Sequence, residues 1–184
     1  MKKTMVINLI GGPGVGKSTV AALVFAKLKV AGKDAELITE FAKDCVWEER
    51  KETFKDQIYI FAKQEHRLHR LNGKVDFVVT DSPLILNTYY GADNPELVAL
   101  TLSEFKKYWN VNFILKRNKP YNPNGRNQTE EEAKEIDEIL NNNLSKYCID
   151  NHVIFGDTNE EMAEIIYDAI IEELIEAENR GEID

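Results

Sequence analysis

Short apolar runs alternate with helix-period stripes along the whole chain. Residues 4–10 form an apolar run of strand length, the pattern of a strand buried on both faces. Residues 17–30 then carry Val20, Leu23, Val24 and Leu28 on one helical face, and Gly32 closes that stretch. A second strand is predicted over 35–38, with a helical region after it. From 54 to 71, Phe54, Ile58, Phe61, Leu68 and Leu71 recur on one face before Gly73 ends the run. Residues 75–80 read as a third strand. Helices are predicted over 94–108 and 129–147, each followed by a strand, at 111–116 and 153–155. A closing helix over 160–178 turns Met162, Ile165, Ile166, Ala169, Ile170 and Leu174 inward. No internal repeat, low-complexity block or Pro/Ser linker interrupts the series. The alternation predicts one α/β domain over 1–184, with a five-stranded parallel sheet between two layers of helices.

Composition leaves that picture intact. A chain of 184 residues with 43% hydrophobic and 9% aromatic residues can fill a single core. The apolar run near the start is too short to span a bilayer, and the glycine-rich segment after it resembles no signal-peptidase site. Cys45 and Cys148 lie far apart and outside metal-ligand spacing, so neither a disulfide framework nor a zinc site is expected. These features predict no membrane partner and a reducing, cytoplasmic setting. Charge adds more. Eleven carboxylates face Arg180 alone between Asp157 and Asp184, so most of the net charge of −9 belongs to the closing helix, about 158–178, and the tail after it. Two stretches are basic: residues 50–74 hold seven Lys or Arg against three acids, and residues 106–126 hold six with no acid. A polyanionic partner therefore stays open.

Between the first strand and first helix, Gly11-Gly12-Pro13-Gly14-Val15-Gly16-Lys17-Ser18 matches GxxxxGK[ST] in full. Glycines let successive backbone N–H groups wrap a phosphate, and the helix start adds its partial positive charge. The pattern predicts an ATP site built from Gly12, Gly14, Val15, Gly16, Lys17, Ser18 and Thr19. Lys17 would meet the β- and γ-phosphates, the Ser18 hydroxyl would help hold Mg²⁺, and Thr19 would face the α-phosphate. The third strand ends at Asp81, at the carboxyl edge of the sheet beside this loop, where an acid can hold Mg²⁺ or orient an acceptor hydroxyl. A helix cap formed with Ser82-Pro83 is the plainer alternative. Glu40 closes the second strand at the same edge and could accept a proton from an attacking hydroxyl, or merely cap the next helix. A long Pro/Asn/Gly-rich segment at about 117–128 reads as a lid, with Arg117 or Arg126 able to supply a cation to the transferring phosphoryl group. Gln57, Gln64 and Arg67 could touch a base or phosphate of the acceptor, although surface solvation suits any one of them better.

The sequence lacks the DxxG and [NT]KxD pattern of a GTPase, and Asp81-Ser82 lacks the paired acids expected of a motor ATPase. With Glu40-Phe41-Ala42-Lys43-Asp44, the 57–67 helix, Thr80-Asp81-Ser82-Pro83-Leu84 and the lid, it resembles the small P-loop kinases. That group includes thymidylate, deoxynucleoside and ribosylnicotinamide kinases and related proteins of tailed phages. The resemblance implies the P-loop NTPase fold and transfer of the γ-phosphate of ATP, with Mg²⁺, to a hydroxyl of a nucleoside- or nucleotide-type acceptor. Within the group the chain is most similar to the phage branch containing 5-hydroxymethyluracil DNA kinases, which implies an acceptor base within DNA and a host cytoplasm. Deoxynucleoside kinases carry Pro where this chain has Phe41, and Arg after the third-strand acid where it has Ser82. A free nucleoside or nucleoside monophosphate is the alternative acceptor. A non-catalytic ATP-dependent switch, docking a partner through its acidic helix, is the alternative of another class.

Overall fold

The computed structural model describes residues 3–118, 121 and 129–182. Five strands form one parallel sheet in the order β2-β3-β1-β4-β5: β1 Met5–Ile10, β2 Ala35–Ile38, β3 Phe77–Thr80, β4 Trp109–Leu115 and β5 His152–Ile154. Among the described residues seven α-helices connect or cover them: α1 Lys17–Val30, α2 Phe41–Trp47, α3 Gln57–His69, α4 Asn87–Tyr90, α5 Pro95–Phe105, α6 Glu130–Lys146 and α7 Asn159–Asn179. This is the expected P-loop NTPase architecture.

Alternation along β1 divides the core into two layers. Met5, Ile7 and Leu9 pack with Val20, Val24 and Leu28 of α1 and with Met162, Ile166 and Ile170 of α7. Val6 and Ile10 point the other way, into Phe61 and Leu68 of α3, Leu97 and Phe105 of α5, and Ile136, Leu140 and Leu144 of α6. All six residues of β1 are buried, as a central parallel strand requires. Asn8 shares the second face. Its amide donates to Asn110 Oδ1 and Asn112 Oδ1, each at 2.9 Å, so the one polar side chain in the strand is paired where it is buried.

Several expected boundaries shift for local reasons. The helix expected from residue 54 begins at Gln57, because residues 51–55 wind as a 3₁₀ turn and Asp56 caps the new helix by accepting from the Tyr59 N–H. The break takes Ile58 off the buried face, and it is 57% exposed. On α7, Ile165 is largely exposed while Ala163 and Ala177 are buried, so the inward stripe runs through Met162, Ile166 and Ile170. Phe155 lies just past β5, exposed. Residues 84–90, left unassigned by the sequence pattern, form a 3₁₀ turn and the short α4. Among the described residues both cysteines are free, Cys45 buried and Cys148 exposed, and no helix is long and apolar enough to cross a membrane.

Candidate functional site

The loop after β1 is held by backbone conformations that favour glycine. Gly14 and Gly16 have φ of 82° and 106°, and Gly16 is the residue preceding the first turn of α1. This turns the loop so that Lys17, Ser18 and Thr19 start the helix, the last two exposed. Val15 contributes only backbone, since its side chain is buried under the sheet. The Lys17 ammonium curls back to donate to Gly11 O at 2.6 Å and Gly12 O at 3.0 Å. Burial lowers its pKa, and Glu40, Asp81 and Asp137 oppose that shift.

The strand order brings the two acids to this loop. β3 lies directly beside β1, with Thr80 level with Asn8, and β2 lies beside β3, with Ile38 level with Thr80. Asp81 and Glu40 therefore leave adjacent strands at the same edge. Asp81 is 4% exposed, and its Oδ1 is buried without a hydrogen-bond partner among the described residues. It caps no α-helix: the next element is the 3₁₀ turn at 84–86, preceded by Pro83. A buried carboxylate oxygen left unpaired is costly unless something absent from the chain completes it. Together with the exposed Ser18 hydroxyl it is an all-oxygen donor set, which fits Mg²⁺, a cation that keeps waters and takes its other ligands from phosphates.

Glu40 occupies the position preceding α2, yet its side chain makes no capping hydrogen bond. The buried Gln64 satisfies the first N–H of α2, its Oε1 accepting from the Phe41 N–H at 3.1 Å, while Arg67 Nη1 donates to Thr39 O at 2.9 Å and Arg67 Nη2 pairs with Asp44 Oδ2 at 2.5 Å. The Arg67 guanidinium also lies over the Phe41 ring at 5.3 Å. Gln64 and Arg67 thus hold the turn that carries Glu40, which is a different use from the acceptor contact considered for them. Gln57 donates locally to Phe54 O. The Glu40 carboxyl has its pKa raised by burial and by Asp81, against the opposing pull of Lys17 and Lys43. Tyr90, at the end of α4, lies within electrostatic reach of Glu40 and Asp137. Burial pushes its hydroxyl up, and Glu40, Tyr89 and Asp137 add to the shift.

Arg117 reaches the loop from the far side. Its Nε donates to Asp137 Oδ2 at 2.6 Å, Nη1 to Pro13 O at 2.9 Å and Nη2 to Ala133 O at 3.0 Å. Asp137 Oδ1 in turn accepts from the Gly12 N–H at 2.5 Å. Arg126 and most of the expected lid lie outside the described residues. Asp137 and Tyr90 escaped the sequence reading. Asp137 is one of many acids on the polar side of α6, and spacing does not single it out, whereas the Tyr89-Tyr90 pair shortly after Asp81 was a signal available in the sequence.

A phosphate-shaped loop, a lysine at its end and an acid closing the neighbouring strand are the features of a P-loop domain, and the family model described as AAA domain matches residues 6–161. The chain belongs to the AAA domain family. Within that family name, this member carries Ser82 after Asp81 where a paired acid was expected of a motor ATPase. Its fold is similar to the crystal structure of thymidylate kinase from Ehrlichia chaffeensis, with a TM-score of 0.59 and 14% identity over 94% of this chain and 99% of that one. It is also similar to the crystal structure of NadR protein in complex with NR, with a TM-score of 0.61 and 17% identity over 92% of this chain. The chain spans 51% of the NadR chain, about half its length. No curated protein matches the sequence.

Proposed function

We propose that this AAA-family protein is an ATP- and Mg²⁺-dependent kinase that transfers the γ-phosphate to a hydroxyl of a nucleoside- or nucleotide-type acceptor. The observation that carries the reading is the second acid. A nucleotide switch needs the P-loop and Asp81, but it has no need of Glu40, a desolvated carboxyl that makes no capping hydrogen bond and lies within electrostatic reach of Lys17 and Asp81. Phosphoryl transfer asks the protein mainly for positioning and charge.

In this reading the backbone N–H groups of residues 14–19 bind the phosphates, that of Gly12 being taken by Asp137 Oδ1. Lys17 leaves the carbonyls of Gly11 and Gly12 to pair with the β- and γ-phosphates. Ser18 and Asp81 hold Mg²⁺, which neutralises charge on the phosphoryl oxygens when bound. Glu40 accepts the proton of the attacking hydroxyl, its raised pKa bringing it nearer the operating pH than an ordinary carboxylate. Arg126 or Arg117 supplies the transition-state cation, Arg117 only after exchanging its present partners.

For the acceptor, our specific reading is the 5-hydroxymethyl group of 5-hydroxymethyluracil in phage DNA, supported by the order of motifs along the chain and by the basic stretches at 50–74 and 106–126. Such a base must be extruded or single-stranded to reach the γ-phosphate. The deciding experiment is transfer of labelled γ-phosphate from ATP with Mg²⁺ to free nucleosides, nucleoside monophosphates, and DNA with or without 5-hydroxymethyluracil, with Lys17→Ala as control. Label in hydroxymethylated DNA alone supports the DNA acceptor, and label in a free nucleoside or nucleotide replaces it. ATP binding with no acceptor labelled defeats the kinase reading in favour of the switch.

A further inference from the structure

The contacts between α6 and the phosphate loop carry more than a packing role. Asp137 is the junction of three segments. One carboxylate oxygen accepts from the Gly12 N–H, and the other accepts from Arg117 Nε. Arg117 then donates onward to Pro13 O within the loop and to Ala133 O, one helical turn before Asp137 on α6. The two side chains are only 17% and 26% exposed, so the ion pair is partly shielded from water, and the guanidinium is held in place by its two further bonds to backbone carbonyls. Asp137 also lies close enough to the Lys17 ammonium to favour its charged form.

The loop itself is built for this approach. A Cβ at position 12 would stand 2.6 Å from Ala133 O, 2.9 Å from Asp137 Oδ1 and 3.1 Å from Arg117 Nη2. Glycine at this position lets α6 come close enough for one carboxylate to bond the loop's backbone. At its other end α6 is tied to α4 by Asn143 Nδ2, which donates to Thr88 O and Thr88 Oγ1 at 3.2 and 3.1 Å. The helix is anchored beside Tyr90 and reaches the loop through Asp137.

We infer that Asp137 is a positioning residue for nucleotide: by bonding Gly12 and orienting Arg117, it sets the entrance of the phosphate loop against α6 and so tunes affinity for ATP. The inference rests on the reading of this loop as an ATP site, but it needs no acceptor. It assigns Arg117 a defined task with nucleotide absent, that of bracing Pro13, alongside any later contact with phosphate. Asp137 and Arg117 act as one unit, so removing both should weaken ATP binding about as much as removing Asp137 alone.

The test is direct titration of the full chain with Mg²⁺ and ATP by calorimetry, beside thermal melts of each variant. Asp137→Ala should weaken ATP binding about ten-fold or more, the scale of losing a hydrogen-bonded charge. Asp137→Asn keeps an oxygen for the Gly12 N–H and should bind better than Asp137→Ala, a graded rescue that a general loss of stability would not produce. Arg117→Ala/Asp137→Ala should match Asp137→Ala. Wild-type affinity in Asp137→Ala, whatever its melting temperature, overturns the inference alone. Wild-type protein that binds no ATP overturns the nucleotide-site reading and this inference with it.

Discussion

Gly12→Ala is the sharpest probe of how closely the phosphate loop and α6 are fitted. The added methyl would meet Ala133 O at 2.6 Å and Asp137 Oδ1 at 2.9 Å. Ordinary carbon-to-oxygen approaches lie near 3.3 to 3.6 Å, so about 0.7 Å must be found. The nearer atom is a helix carbonyl, which cannot swing aside as a side chain can, and the loop or α6 must shift as a body. Overpacking of this kind costs about 1–3 kcal/mol, which for a chain of this length lowers the melting temperature by about 2–4 °C per kcal/mol. The control is Gly32→Ala. Gly32 has φ of +75° and no atom within 4 Å of a built Cβ, so only left-handed backbone strain is at issue, about 1–2 kcal/mol with no consequence for the loop. Both variants should melt earlier, and only Gly12→Ala should lose ATP affinity, by about ten-fold, since ångström-scale misplacement is enough to spoil positioning. Measurement is by thermal melts and by ATP titration. If Gly12→Ala bound ATP as tightly as Gly32→Ala does, the close fit between loop and α6 would be irrelevant to the nucleotide.

Glu40→Gln should abolish transfer while stabilising the protein at neutral pH. The folded pKa of Glu40 lies above its unfolded value, so the stability this group contributes is fully present below the unfolded pKa and is lost as pH rises through the folded one. The melting-temperature gap between Glu40→Gln and wild type should widen from acid towards neutral pH, and a constant gap would refute the assignment. Lys17→Met should push the Glu40 titration, followed by carboxyl NMR, further up, since the lysine charge is the leading opponent of that shift. An unchanged titration would place the two groups out of reach of one another. Gln64→Leu leaves the buried Phe41 N–H without its acceptor, at about 1–3 kcal/mol, and should reduce turnover while sparing ATP affinity. A loss confined to ATP affinity would disconnect Gln64 from Glu40.

What could be read from the sequence follows from how local each determinant is. The phosphate loop is contiguous, so its glycines, lysine and serine announce themselves in eight residues, and β1 and α1 follow from apolar period alone. Asp81 and Glu40 were legible because a parallel sheet sends every strand's carboxyl end to one edge, so position on a strand was enough to place them. The interruption at Asp56 was missed because a 3₁₀ turn preserves an apolar residue at nearly the helical spacing, and Phe54 and Ile58 looked like one face. Gln64, Arg67 and Asp137 belong to a harder class, whose roles exist only between segments distant in the chain. Gln64 bonds the first N–H of α2 and the Thr39 carbonyl, a contact that is invisible until α3 packs against the turn after β2. The same holds for Asp137, 125 residues from its Gly12 partner. Gln64 secures the start of α2 beside Glu40, and Asp137 with Arg117 braces the loop whose Gly11 and Gly12 carbonyls hold Lys17. Pairing of this kind is what a static motif cannot encode, and it makes the helices α3 and α6, rather than the motif alone, responsible for how well the site works.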